Sequence, residues 1–249
     1  MGLVTKSVAF TVLVAVWLAF GNRLVSQERQ PYAEERSGMV ADIVALWSIT
    51  ESEIGGRAPD QEVLEVMGKV PRHEFVGPSQ IGNAYANRPL PIGHGQTISQ
   101  PYIVALMTTL AGVNEQSRVL ELGTGSGYQA AVLAELVSEV YTIEIVAPLA
   151  QSASERLARL GYDNVTVRHG DGYYGWKERA PFDAVLVTAA ASHIPPPLVD
   201  QLTVGGKMVI PVGSAFAVQQ LVLVEKLGLD RVRVRQILPV RFVPLTGER

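Results

Sequence analysis

Cysteine is absent from the 249 residues. That excludes disulfide bonds, a thiol nucleophile and zinc sites built on thiolates. Histidine is scarce: His73, His94, His169 and His193 are the only four, and none stands in an HExxH-like pairing, so no metal site is expected. An excess of positive charge is missing too. Lys and Arg number 21 against 24 Asp and Glu, a formal net charge of −3, and no basic cluster marks a face for a phosphate backbone. Nucleic acid is therefore not an expected partner. Long hydrophobic runs are lacking except at the N-terminus, where "SVAFTVLVAVWLAFGN" lies between Lys6 and Arg23.

The apolar core of that run, about 13 residues, suits a signal-peptide core better than a full membrane span. Residues 1–30 are read as a hydrophobic segment, a signal peptide or membrane anchor, with residues 7–21 as the membrane-associating part. The two readings differ in consequence. "AFG" at 19–21 offers a small-residue cleavage site and a periplasmic product. Arg23, Arg29 and Arg36 against the single Lys6 favour a retained inner-membrane anchor with the domain on the cytoplasmic side. A buried helix of the main domain is the third alternative, disfavoured by length and position.

What is present is an ordinary core: 47% hydrophobic and 18% charged residues. Residues 31–249 read as one domain. "AEERSGMVADIVALW" and "PDQEVLEVMGKV" are amphipathic helices, the second capped by Asp60 and carrying Val63, Leu64, Val66, Met67 and Val70 at helix spacing. A loop follows with Pro89, Pro91, Gly93 and Gly95, then a helix starting near Ser99 with Pro101 in its first turn. From there, apolar strands at 118–122, 140–143, 164–168, 183–187 and 207–211 alternate with helices that include 128–137, 147–160 and 195–202. The alternation predicts an α/β fold with a doubly wound, mostly parallel sheet. The tail reads as strand, "GLDR" turn and strand, an antiparallel hairpin closing one edge.

"RVLELGTGSGYQAAVLAELV" at 118–137 runs from the first strand into a helix. Glu121-x-Gly123-x-Gly125-x-Gly127 is close to a dinucleotide fingerprint, but Tyr128 stands where the third glycine of GxGxxG belongs. The spacing suits S-adenosylmethionine, with Glu121, Gly123, Thr124, Gly125 and Gly127 bordering it; a plain tight turn is the alternative. Glu144 ends the second strand, where a carboxylate accepts from both ribose hydroxyls. Asp171 and the adjoining Gly172 amide follow the third strand, where adenine would be read. Either acid alone reads equally as a solvated strand cap; their joint placement after successive strands favours the cofactor.

The segments "KVPRHEFVG", "AYANRPLPIGHGQTISQPYIVALM", "VLELGTGSGYQAAVLA", "GDGYYGW", "PFDAVLVTAAA", "QLTVGGKMVIPVG" and "PVRFVPLTGE" resemble, in order, those of the protein-L-isoaspartate O-methyltransferase family over roughly residues 36–249. The loop at 84–101 is the most specific of them. The resemblance implies a Rossmann-like class I methyltransferase fold. It also implies methylation of the α-carboxyl of isoaspartyl residues in damaged proteins, the ester then closing to a succinimide that reopens partly to aspartate. Ser99 resembles the family's essential serine in "TIS", and otherwise would cap the helix after it. Thr97 and His94 are assigned to the substrate, with a turn residue and a hydrogen-bonded loop histidine as alternatives. Thr246 matches a family position near the cofactor, or is a bare C-terminal loop residue. A carboxylate acceptor is anionic at pH 7, so in-line transfer needs positioning rather than a strong base or a metal. A monomer is expected. A methyltransferase of another acceptor, a nicotinamide oxidoreductase and a tethered binding protein remain as other readings.

Overall fold

Short apolar runs rich in Val, Ile and Leu build the parallel part of the central sheet, and longer strands build its antiparallel edge. The computed structural model describes residues 31–214 and 217–247; the segment 7–21, with its anchor and export readings, lies outside them. Contacts divide the chain into a short unit, Met1–Glu34, and a larger one, Glu35–Arg249. No helix among the described residues is long and apolar enough to cross a membrane.

The helices are α1 (Ala33–Thr50), α2 (Gln61–Lys69), α3 (Pro101–Ala111), α4 (Tyr128–Ala134), α5 (Ala147–Arg159) and α6 (Pro196–Asp200). A two-stranded hairpin, β1 (Leu90–Gly93) and β2 (Gln96–Ile98), precedes α3. The main strands are β3 (Arg118–Leu122), β4 (Glu139–Glu144), β5 (Val165–His169), β6 (Phe182–Val187), β7 (Leu202–Val212), β8 (Gln219–Gly228) and β9 (Arg231–Val240). They form one sheet of order β5-β4-β3-β6-β7-β8-β9. Pairings from β5 to β7 are parallel, and those of β7 with β8 and β8 with β9 antiparallel. The expected doubly wound sheet with a hairpin at one edge is thus observed. Strand order reverses about β3, which puts a ligand crevice at the carboxyl ends of β3 and its neighbours.

Alternation along β3 sends Leu120 and Leu122 to one face and Val119 and Glu121 to the other. On the first face these leucines, Tyr141, Ile143, Val185 and Val187 pack with Leu198 of α6 in one apolar cluster. α3, started by Pro101 and ended by Gly112 at φ 60, is buried along nearly its whole length and packs on β6 and β7. α1 buries Arg36, Met39, Ile43 and Trp47 at helix spacing. Asp60 caps α2, accepting from the N–H groups of Glu62 and Val63.

Several boundaries differ from the sequence pattern: β7 begins at Leu202, five residues before the expected 207, and α6 ends at Asp200 instead of 202; two further differences have local causes. α4 stops at Ala134 instead of running to 137 because the Asn164 amide takes the carbonyls of Ala134 and Val137, at 2.9 and 3.0 Å, and turns the chain into β4. The stretch expected as a loop around Gly93 is hairpin β1–β2. His94 (φ 51) and Gly95 (φ 71) both take positive φ, as a two-residue primed turn requires.

Candidate active site

The turn after β3 is shaped by what it must pass. Gly123 has φ 94, and a Cβ there would meet the Thr188 Oγ1 at 2.5 Å. Thr188, the first residue beyond β6, donates its hydroxyl to the carbonyls of Leu122 and Gly123, at 2.9 and 2.7 Å. Gly127 (φ 87) serves packing: a Cβ would press on Leu157 of α5 at 3.2 Å, and the residue does not line the cleft. Tyr128 does line it, yet its ring turns into the protein, edge-on to Phe75 with centroids 5.5 Å apart.

A cleft with about 790 Å³ of open space, solvent at its mouth included, lies here at the switch point of the sheet. It brings together Thr97, Ser99, Glu121, Gly123, Thr124 and Gly125 with Glu144, Gly172 and Thr246, most of the residues singled out from the sequence. Glu144, 5% exposed, accepts from the Gly125 N–H on Oε2 at 2.8 Å and from the Val146 N–H on Oε1 at 2.9 Å. Each oxygen keeps a lone pair for a ligand hydroxyl.

Glu121 lies deeper, with no exposed surface. The Thr142 hydroxyl donates to its Oε2, so in the short Thr124–Thr142 contact of 2.6 Å Thr124 is the donor. Oε1 is buried with no hydrogen-bond partner among the described residues. Burial, reinforced by the charge of Glu144 and partly offset by Thr142, pushes the carboxyl up to about 8.

Asp171 and His94 stand apart from the cleft. Asp171 Oδ1 accepts from the Tyr173 N–H at 2.9 Å, while Oδ2 is buried beneath Gly247 with no hydrogen-bond partner among the described residues. Its neighbour Gly172 forms the cleft wall, and the C-terminal segment Val243 to Thr246 forms another. His94 is exposed at the hairpin tip and lines neither this cleft nor the one beside it. The unpartnered Glu121 oxygen, the carboxylate ending β4 and the glycine turn form a set of polar groups that fits a cationic, ribose-bearing nucleoside such as S-adenosylmethionine.

Ser99 does not cap a helix. α3 begins at Pro101 after Gln100, which makes no side-chain cap bond. The cap comes from Asn87, whose Oδ1 accepts from the Tyr102 N–H at 3.0 Å. Among the described residues, the Ser99 hydroxyl has no partner. A second cleft, with about 950 Å³ of open space, adjoins the first and includes Ile103, Val218 and Phe242. Thr97, Ser99, Thr188 and Val243 line both. Thr188 was not singled out from the sequence. The signal was its position just past a strand next to β3, the same place in the sheet as Gly123 and Glu144.

The family model for protein-L-isoaspartate(D-aspartate) O-methyltransferase matches residues 49–249. A protein-L-isoaspartate O-methyltransferase 2 from Polaromonas sp. is 67% identical over 211 residues, 85% of this chain and 100% of its own length. One from Syntrophobacter fumaroxidans is 60% identical over 239 residues, 96% of each chain. Among solved structures, a protein-L-isoaspartate O-methyltransferase superposes with a TM-score of 0.73 at 27% identity, covering 85% of this chain and 66% of that one. A candidate enzyme of the same kind from Plasmodium falciparum, solved with S-adenosyl-L-homocysteine, gives 0.68 at 28% identity, covering 82% and 97%.

Proposed function

The chain belongs to the protein-L-isoaspartate(D-aspartate) O-methyltransferase family, and from that premise we propose that Ser99 orients the acceptor carboxylate where the two clefts meet. The enzyme is an S-adenosylmethionine-dependent protein-L-isoaspartate O-methyltransferase, acting in protein repair on isoaspartyl residues. The observation that carries the Ser99 assignment is a hydroxyl, without a partner among the described residues, on the wall shared by both clefts.

Glu144 would hold the ribose, Gly172 and Asp171 the adenine, and Glu121, Thr124 and Thr246 the remainder of the cofactor beside the glycine turn. S-adenosylmethionine, when bound, supplies a methyl group on a sulfonium, an electrophile with its own leaving group. The isoaspartyl peptide enters from the second cleft. Ser99 donates to one oxygen of its α-carboxylate and leaves the other free to attack, so no proton has to move in the step. Thr97 assists from strand β2, which ends just before Ser99, and His94, at the hairpin tip, meets the peptide further from the reacting group.

Ser99→Ala is expected to keep its affinity for S-adenosylhomocysteine and to lose most of its turnover on an isoaspartyl peptide, with the aspartyl twin as the inert control. Wild-type turnover in that variant removes Ser99 from the mechanism. Both clefts are built within one chain, and a monomer is the proposed state, checked by light scattering. The domain is proposed to face the cytoplasm, where S-adenosylmethionine is made, held by residues 7–21; digestion by protease added to intact spheroplasts would overturn that placement.

A further inference from the structure

Arg72 has no exposed surface, and no carboxylate pairs with it among the described residues. A guanidinium buried in this way is costly, since its charge has left water without an opposite charge to meet. Its contacts show what it holds. Nε donates to the Ala84 carbonyl at 2.8 Å and Nη2 to the Ser99 carbonyl at 2.6 Å, while Nη1 has no partner among the described residues. One edge of the planar fork therefore grips both ends of the 84–99 segment, the loop that carries hairpin β1–β2 and ends at Ser99.

The flat side of the same group lies over the Tyr128 ring, 4.6 Å from its centroid. Tyr128 opens α4 directly after Gly127, so its ring moves with the cofactor turn. A continuous path results: cofactor turn, Tyr128 ring, Arg72 guanidinium, Ser99 carbonyl. Other restraints on this stretch come from the Tyr85 hydroxyl, 2.6 Å from His73 Nδ1, and from Asn87 within the loop. The Asn87 carbonyl takes the Gln100 amide at 3.0 Å and its side chain caps α3. Ile92 of the hairpin also lies against Gly125 of the turn, and the Gln129 amide of α4 donates to the Thr108 hydroxyl of α3 at 2.9 Å; Arg72 adds to these a polar link from the Ser99 carbonyl itself to the Tyr128 ring.

We propose that Arg72 is a positioning residue for methyl transfer, holding Ser99 in register with the cofactor turn. The inference rests on the Ser99 assignment above. A shift of about 1 Å between acceptor and methyl group is enough to cost roughly a hundredfold in rate. No such cost falls on cofactor affinity, because Arg72 touches none of the groups assigned to the cofactor apart from the back of the Tyr128 ring.

The test uses Arg72→Met, which fills the volume without the donors, and Arg72→Lys, which keeps the charge but cannot grip two carbonyls with one planar edge. Ser99→Ala and the Ser99→Ala/Arg72→Met double variant complete the set. For variants that melt well above the assay temperature, S-adenosylhomocysteine affinity is measured by calorimetry, and kcat and KM with an isoaspartyl peptide. The expected result is affinity close to wild type and a kcat lowered roughly a hundredfold in Arg72→Met. The double variant is expected to be no slower than Ser99→Ala alone, since Arg72 acts through Ser99. If Arg72→Met does not fold, Arg72→Lys carries the same expectation with a smaller loss. Wild-type kcat in either folded variant beside an impaired Ser99→Ala overturns the inference and leaves the Ser99 assignment standing. Independent losses that multiply in the double variant overturn it as well, as does a parallel loss of cofactor affinity. Wild-type turnover in Ser99→Ala itself strikes the assignment on which the inference rests.

Discussion

Replacing Glu121 by Gln tests the electrostatics of the cofactor cleft, because the carboxyl is pushed up to about 8 by burial first and by Glu144 second. In the unfolded chain it titrates near 4.5. An acid whose folded value is raised binds its proton more tightly when folded. Its stabilising contribution is therefore complete below about pH 4.5, is lost as pH rises, and is gone above about pH 8. The loss is on the order of 5 kcal/mol, from 3.5 pH units at about 1.4 kcal/mol each, comparable to the whole stability of many domains. Gln keeps the acceptor for the Thr142 hydroxyl and replaces the unpartnered Oε1 by an unpartnered amide, a cost that does not vary with pH. Urea unfolding of both proteins between pH 5 and 9 is the assay. The wild type should lose stability relative to the variant by roughly 1.4 kcal/mol per pH unit until about pH 8 and then level off. A cationic ligand group drawn to Oε1 lowers the Glu121 value again. Binding of S-adenosylmethionine at pH 7 should therefore release close to one proton from the wild type and none from Glu121→Gln, read by calorimetry in two buffers. Parallel unfolding curves across the pH range would refute the reasoning.

Glu144→Ala removes a carboxylate that holds two backbone N–H groups of the cleft, those of Gly125 and Val146, besides the ribose contact assigned to it. At about 1.5–3 kcal/mol for each charged hydrogen bond, S-adenosylhomocysteine affinity should fall at least tenfold, and an unchanged dissociation constant in calorimetry removes Glu144 from the site. Gly123→Ala forces a side chain onto φ 94 and drives its Cβ to within 2.5 Å of the Thr188 hydroxyl. A loss of about 2–4 kcal/mol is expected, lowering the melting temperature by roughly 5–15 °C, and a thermal scan that shows no change contradicts the account of the turn.

The pattern of hydrophobicity carried the sheet and the glycine turn, because both are local. Strand and helix periods, the break at Gly123 and the acid ending β4 all lie within a few residues of the features they imply. What was not legible depends on partners far away in sequence. Asn164 stops α4 from 30 residues downstream, and Asn87 supplies the cap that Ser99 was the local candidate for. Gly127 reads as part of a ligand motif, yet Leu157 of α5 gives it its reason. Asp171 follows the third strand as expected, but its side chain turns back to the Tyr173 N–H and under Gly247, leaving Gly172 to face the cleft. In each case the sequence names the residue and the tertiary fold chooses its partner.

Tyr128 ties these strands of argument together. In a pyrophosphate-binding turn the corresponding residue is a glycine, so that the helix can approach the strand. Here close approach is met one residue earlier, by Gly127 against α5, and position 128 is free to carry bulk. The ring leaves the turn sideways into a space closed by Phe75 and Arg72, with its hydroxyl 3.8 Å from the Met67 sulfur. Those three residues belong to α2 and the segment after it, which lie outside the alternating strands and helices of the sheet. The turns at the strand ends of the sheet supply one side of the cleft at Gly123, and hairpin β1–β2 with Ser99 and the segment Val243 to Thr246 supply further walls. The elements before the sheet hold the loop that presents Ser99. The residue that looks like a departure from a nucleotide motif is the point where the second function is fastened to the first.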